Sequence, residues 1–298
     1  MDKSLFLALG SVVSFSVAVL IFARFAHEVS NLWINAFKAS FALLCYGIVI
    51  LINGELFSLP HWQSIAWLLL SGFLGLTLGD WMLLSSFRTI GPSRGLMIFG
   101  FKPIFLILPG YFTLGQDLTG TQLVAISMMI GAVVFMSMEH SKNRTHIPRK
   151  AFFTGIMIAL IGGALDSAGI LFTRYAFEIS TQMDALEANF YRCGGAVLGF
   201  GVIQFFRPIH FFSRFKKLSL KDKRRVSEAS FLGTFFALAL WLAAVRTGHL
   251  ATVSAIGGLD PMVTTVLESI RDRKLPSLAT ILALALSTAA FLLLTHAN

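Results

Sequence analysis

Apolar stretches long enough to cross a membrane recur along almost the whole chain. Many of them run for about 18 to 23 residues, close to the roughly 20 residues that a helix needs to cross about 30 Å of hydrocarbon. Only 13% of the residues are charged, whereas soluble domains have about 25% because their surfaces face water. We therefore expect an all-α membrane protein, with no stretch left for a soluble catalytic domain.

The breaks between the apolar stretches predict ten transmembrane helices. The first stretch is followed by Arg24 and has no Ala-x-Ala cleavage pattern, so we expect a retained helix rather than a signal peptide. A polar, basic linker at 141–150 is expected to join a first five-helix unit, residues 1–140, to a second, residues 151–298. The ten predicted helices cover 4–24, 32–53, 64–87, 93–115, 120–138, 151–175, 184–206, 229–245, 250–270 and 278–295.

An internal repeat relates the two units. Since each unit contains an odd number of helices, the second must enter the membrane from the opposite side, which predicts two inverted repeats around a central cavity. Substrate sites in such folds lie near the midplane of the membrane, between the repeats. The matching segments are Phe22–Ser30 with Phe172–Ser180, Asn35–Lys38 with Asn189–Arg192, and Arg88–Pro103 with Arg246–Pro261.

The basic residues predict the orientation in the membrane. The loops after the odd-numbered helices carry 18 Lys and Arg residues and the other side carries 3, so we expect the first set to be cytoplasmic and both termini to face outward. The longest loop, 207–227, is strongly basic. We interpret it as a surface helix resting on anionic lipid headgroups and expect no nucleic-acid partner.

Several short motifs resemble a known family. They are Gly75-Leu76-Thr77-Leu78-Gly79-Asp80, Arg88-Thr89-Ile90-Gly91-Pro92-Ser93-Arg94, Lys102-Pro103, Leu114-Gly115 and the repeat around Pro261. Together they resemble the EamA-type transporters of the drug/metabolite transporter superfamily. The resemblance implies ten helices in two inverted halves around a cavity, with the fifth and tenth helices peripheral, and transport of metabolites, amino acids or drugs.

The chain departs from the pattern of this family in two ways. Gly115-Gln116 stands where the family commonly has Gly-Glu, so the role of that Glu is not transferred to this chain. The termini of the family are usually cytoplasmic, but we follow the charge count because the bias is large and the loops 54–63 and 115–120 carry no Lys or Arg.

Ionisable side chains within the membrane mark candidate site residues, because each costs several kcal/mol unless it is paired or hydrated. Lys102 and Asp260 occupy equivalent positions in the repeat, each directly before a proline, Pro103 or Pro261, that breaks the helical hydrogen bonding. Two interpretations stay open. The two charges form an interhelical ion pair, or they bind the carboxylate and ammonium groups of a zwitterionic substrate.

Two further carboxylates lie deep in predicted helices. Asp80 and Asp166 either carry protons that drive transport or form hydrogen bonds to neighbouring helices. Arg192 is also a candidate for the cavity, whereas we interpret Lys38, nearer the end of its helix, as an interfacial anchor.

Aromatic side chains complete the candidate site. Trp81 and Tyr191, together with Phe99, Phe101 and Trp241, are expected to line the cavity or to pack between helices.

The function predicted from these features is secondary transport of a small organic metabolite or drug-like solute across the inner membrane, by alternating access and with protons as a candidate coupling ion. The alternative is a lipid-linked flippase or an accessory membrane subunit of envelope modification. An enzyme is not expected, since the sequence has no nucleophile or metal-ligand constellation and no phosphate-binding loop. No cofactor or metal is expected.

The uncharged helices near 120–138 and 278–295 are expected to face lipid or a second protomer in a homodimer.

Overall fold

The computed structural model describes residues 3–53, 61–101, 105, 120–142, 148–247 and 256–296, and every regular element within these ranges is helical. We number the helices in chain order. They are α1 (Lys3–Glu28), α2 (Asn31–Ile52), α3 (Trp62–Ile90), α4 (Pro92–Phe99), α5 (Gly120–Lys142), α6 (Arg149–Ile179), α7 (Ala185–Phe206), α8 (Phe211–Lys217), α9 (Leu220–Thr247), α10 (Asp260–Asp272) and α11 (Leu278–His296).

Five of the described helices are long and apolar enough to cross a membrane, namely α1, α2, α3, α6 and α9. Helix α7 and the short α8 would form a sixth span if the bent pair is counted as one. The chain is therefore a multi-pass membrane protein. The predicted count of ten spans stays a prediction, because the segments 93–115 and 250–270 lie partly outside the described residues.

The start of α9 differs from the predicted boundary. This helix begins at Leu220, nine residues before the predicted start at 229, and the Ser219 hydroxyl accepts a hydrogen bond from the amide of Asp222 at its first turn. Hydropathy predicted only the apolar part of the helix, because the basic residues of its first turns do not resemble a membrane segment. The basic loop 207–227 is accordingly divided between α8 and the polar start of α9.

The repeated arginines make equivalent contacts in the two units. Arg88 donates from Nη2 to the Val29 carbonyl at 2.9 Å, and Arg246 donates from Nη2 to the Thr181 carbonyl at 3.3 Å. Each acceptor lies in the chain just after the first helix of its own unit. The repeat seen in the sequence therefore includes a repeated tertiary contact, which holds α3 and α9 to the chain just after the first helix of their own unit.

Both units also contain a π-helical segment, one in α3 and one in α9. These segments are Gly72–Gly79 in α3 and Phe231–Phe236 in α9, and Gly75 and Gly233 are separated by 233 − 75 = 158 positions, the offset of the sequence repeat. The Tyr46 hydroxyl donates to the Phe235 carbonyl at 2.7 Å and so satisfies a backbone group of the second segment. Such segments are rare and occur frequently at functional sites.

Helices α3 and α7 approach each other closely because glycines face the contact. A Cβ atom on Gly195 would lie 2.0 Å from the Leu69 carbonyl oxygen, and one on Gly72 would lie 1.8 Å from the Arg192 carbonyl oxygen. Helix α3 is also held to α6, where the Ser71 hydroxyl donates to the Gly169 carbonyl at 2.7 Å. The first unit is thereby packed directly on the first two helices of the second unit.

Helices α5 and α11 pack against each other through small and apolar side chains. Their other described faces expose Leu123, Val124, Ile130, Ile281 and Leu292. Whether lipid or a second protomer covers these faces stays a prediction.

Candidate functional site: a charged cavity between the two units

A cavity with a volume of about 120 Å³ lies between the two units. Its described wall comes from α1 to α4 of the first unit and from α6, α7, α9 and α10 of the second, together with Gly100 after α4 and the two glycines before α10. Both π-helical segments contribute, through Leu76 in α3 and through Gly233 and Thr234 in α9. The cavity therefore occupies the place, between the halves, where the repeat predicts one.

An ion pair between the second and third helices forms one side of the cavity. Lys38 Nζ lies 2.5 Å from Asp80 Oδ2, and the two residues are only 5% and 9% exposed. The interpretation of Lys38 as an interfacial anchor is therefore wrong, since its ammonium group points into the protein and lines the cavity. A signal for this was present in the sequence, because the repeat makes Lys38 equivalent to Arg192.

Arg192, in α7, lines the cavity and is 2% exposed. Its Nε donates to the Ser71 hydroxyl at 3.0 Å. Gly75 leaves room for two charged groups, because a Cβ atom there would lie 3.0 Å from Asp166 Oδ1 and 3.8 Å from Arg192 Nη2. The carboxylate of Asp166 and the guanidinium of Arg192 thus face the same gap beside the π-helical segment of α3.

Asp260 is the third described carboxylate of the cavity. It begins α10, Pro261 occupies the first turn of that helix, and Ser16 donates from Oγ to the Asp260 carbonyl at 3.3 Å. Lys102 and Pro103 lie outside the described residues. The predicted relation between Lys102 and Asp260 therefore stays a prediction.

The aromatic candidates take different places. Phe99 and Trp241 line the cavity, whereas Trp81, Tyr191 and Phe101 are not among the described residues of its wall. Trp81 is half-buried, and the guanidinium carbon of Arg207 lies 6.0 Å from the centre of its ring. Tyr191 packs edge-on against Phe190 with a centroid distance of 5.7 Å. A substrate contact of Trp81 or Tyr191 stays a prediction.

The described wall combines two cations, Lys38 and Arg192, with three carboxylates, Asp80, Asp166 and Asp260. Ionised groups within a membrane are costly and typically mark substrate or ion pathways. Since the charges come from both units, any relative movement of the units changes their mutual distances. Within the described ranges, no group of three or more His, Cys, Asp or Glu side chains is placed to hold a metal ion.

An all-helical multi-pass protein with internal repeats and a charged cavity between them has the architecture of a membrane transporter. The family model of the EamA-like transporter family matches residues 2–138 and 153–296. The chain therefore belongs to the EamA-like transporter family, in the drug/metabolite transporter superfamily. Members of this family are transporters and generally not enzymes, in line with the expectation from the sequence.

Comparison with solved structures supports the fold. Among 27 matching chains is one described only as the crystal structure of a protein, which shares 16% sequence identity with this chain at a TM-score of 0.67. The match covers 98% of this chain and 95% of that one. At this identity the likeness supports the fold alone. No similar protein was found among the curated proteins compared with the chain.

Proposed function

We propose that this protein is a secondary transporter that carries a small organic solute with ionised groups across the inner membrane by alternating access. The observation that carries the proposal is the cavity between the units, which is lined by buried charges from both. Binding near the interface of inverted repeats is the usual arrangement of secondary transporters. Membership of a transporter family supports the same function.

The wall of the cavity suggests how such a solute is bound. An anionic group of the solute would bind at Lys38 or Arg192, and a cationic group would bind at Asp80, Asp166 or Asp260. Phe99 and Trp241 would pack against its apolar part. We keep Lys102, beside Pro103, as a further candidate for the anionic group because of its equivalence to Asp260 in the repeat.

A ligand screen followed by a transport assay tests this function. Purified protein would be screened against amino acids, nucleosides, cationic drugs and lipid-linked sugars, because a ligand that binds the native state raises its melting temperature. Compounds that raise it would then be tested for uptake into proteoliposomes. Uptake of a soluble compound supports the proposal, whereas stabilisation and movement of lipid-linked compounds alone would favour the flippase alternative.

Arg192→Gln is expected to reduce binding of the stabilising compound by at least about tenfold, because a charged hydrogen-bonding partner is lost from a buried site. Binding would be measured by isothermal titration in detergent. Arg214→Gln is the matched control, since Arg214 is exposed and lies outside the cavity wall. Unchanged affinity in folded Arg192→Gln protein would show that Arg192 does not contribute to binding of the compound.

We propose protons as the coupling ion and Asp80 as the group that carries them. Protonation of Asp80 would remove the negative partner of Lys38 and loosen the contact between α2 and α3. Deprotonation would restore the ion pair. The pairing of two helices that line the cavity would thus depend on the proton gradient, which is what coupling requires.

Asp80→Asn is expected to abolish solute accumulation driven by a pH gradient while preserving exchange of solute across the membrane, because the amide cannot take up or release the proton. Both activities would be measured in proteoliposomes. Asp272→Asn, at an exposed helix end, is the control and should retain both. If the Asp80→Asn protein still concentrates the solute in response to the pH gradient, proton coupling through this residue is wrong.

A further inference from the structure

Helix α8 leaves the end of α7 at a sharp angle. The two helices are bent by 95° across the short connection 207–210. His210, directly before α8, has a φ of 51°, in the left-handed region. Since α8 is nearly perpendicular to α7, an α7 that crosses the bilayer and ends at Phe206 places α8 along the membrane surface.

The inner face of α8 is held to α2 by aromatic packing. Phe215 stacks on Phe37 with a centroid distance of 5.3 Å, and Phe211 lies 6.0 Å from the same ring. Trp33 also donates from Nε1 to the Phe211 carbonyl at 3.0 Å. Helix α8 is therefore a docked element with a defined inner face.

The outer face of α8 combines cations with an exposed aromatic ring. Arg214, Lys216 and Lys217 are all exposed, and no described ion pair involves them. Phe212 is 75% exposed beside them. At the adjoining end of α7, Phe205 and Phe206 are 88% and 83% exposed. Exposure of three phenyl rings to water is unfavourable. Phenyl rings next to three cations suit the boundary between acyl chains and anionic headgroups.

We propose that the outer face of α8, formed by Phe212, Arg214, Lys216 and Lys217, docks on the anionic phospholipid headgroups of the membrane. The cations bind the phosphates, and the phenyl rings of Phe205, Phe206 and Phe212 enter the outer edge of the acyl region. A bilayer surface fits this face better than a soluble phosphate compound, because only the bilayer covers the phenyl rings as well as the charges.

Docking at this face would also stabilise the ion pair of the cavity. Phe37, which holds α8, directly precedes Lys38, and Trp81, which lies under the Arg207 guanidinium, directly follows Asp80. Helix α8, through Phe215, and the connection before it, through Arg207, thus contact the two chain segments that carry the pair. Anionic lipid is therefore expected to raise the thermal stability of the whole protein and not only to order α8.

The test uses the purified full chain in micelles of an uncharged detergent. Phosphatidylglycerol or phosphatidylcholine is added in increasing mole fraction, and the melting temperature is measured at each composition. Glycerol phosphate, the soluble headgroup, is added in a third series. Two triple variants are compared with the unmodified protein. They are Arg214→Gln/Lys216→Gln/Lys217→Gln and, as a control of equal charge at another basic loop, Arg271→Gln/Arg273→Gln/Lys274→Gln.

Phosphatidylglycerol is expected to raise the melting temperature of the unmodified protein and of the control variant. Phosphatidylcholine and glycerol phosphate are expected to leave it unchanged. In the α8 variant the half-saturating fraction of phosphatidylglycerol should rise roughly a hundredfold, since each cation near an anionic surface contributes about fivefold. The proposal is overturned if the α8 variant responds like the unmodified protein, if the control loses the response equally, or if glycerol phosphate reproduces the stabilisation. This result is independent of the transport activity proposed above.

Discussion

Replacing Lys38 with methionine is expected to lower the free energy of unfolding by about 3 to 5 kcal/mol, the usual cost of removing one member of a buried ion pair. Methionine retains most of the volume of lysine, so the loss reports on charge rather than on a cavity. Its cause is the Asp80 carboxylate, which stays buried while its cation at 2.5 Å is removed. The change would be measured by chemical unfolding in mixed micelles.

Lys274→Met is the control for this prediction, since Lys274 is exposed and lies outside the outer face of α8, and it should change stability by no more than about 0.5 kcal/mol. The double variant Lys38→Met/Asp80→Asn should recover a large part of the loss, because the amide removes the uncompensated charge. Equal stability of the single and double variants would contradict an energetic coupling between the two residues.

Gly195→Ala is expected to disrupt the packing of α3 on α7 and to destabilise the protein by about 3 kcal/mol or more. This is at least the largest loss that is usual when a core is overpacked. The new methyl group would lie 2.0 Å from the Leu69 carbonyl oxygen, a backbone atom that moves only if the helices separate. Because α7 also carries Arg192, the hydrogen bond from Arg192 to Ser71 should be lost as well. Thermal unfolding measures the first effect.

Gly194→Ala is a closely matched control, one residue away on the same helix. A Cβ atom there would meet Leu69 Cδ2 at 3.7 Å, an ordinary contact, so this variant should be neutral or more stable by up to about 1 kcal/mol, since alanine favours helix over glycine. Similar melting temperatures for the two variants would contradict the close approach of α3 and α7.

Much of the architecture could be predicted from the sequence. The apolar stretches predicted the regions of the helices, and the repeat predicted two related units with a cavity between them. The family was predicted from short motifs such as Gly75–Asp80 and Arg88–Arg94. The start of α9 was missed because hydropathy detects only the part of a helix that is apolar, whereas Leu220 begins a polar first turn.

The candidate site was predicted less completely. Asp80, Asp166, Arg192 and Asp260 were singled out because a charge within an apolar stretch needs an explanation, and all four line the cavity. Lys38 was assigned to the interface because it lies near the start of α2. Its depth in the fold depends on what packs around it, and α8 covers that end of α2 through Phe37, which hydropathy along one helix cannot show.

The sequence by itself determined that the chain enters a membrane, that it is duplicated and that it belongs to a transporter family. Membrane insertion depends on the length and composition of each local segment, because every residue contributes separately to the free energy of transfer into lipid. The duplication and the family depend on short motifs, which are also local. Only the tertiary structure decided that Lys38 pairs with Asp80, that Asp166 and Arg192 share a gap beside Gly75, and that α8 is bent by 95° from α7. Such contacts join residues far apart in the chain, and their geometry is set by how closely the helices pack.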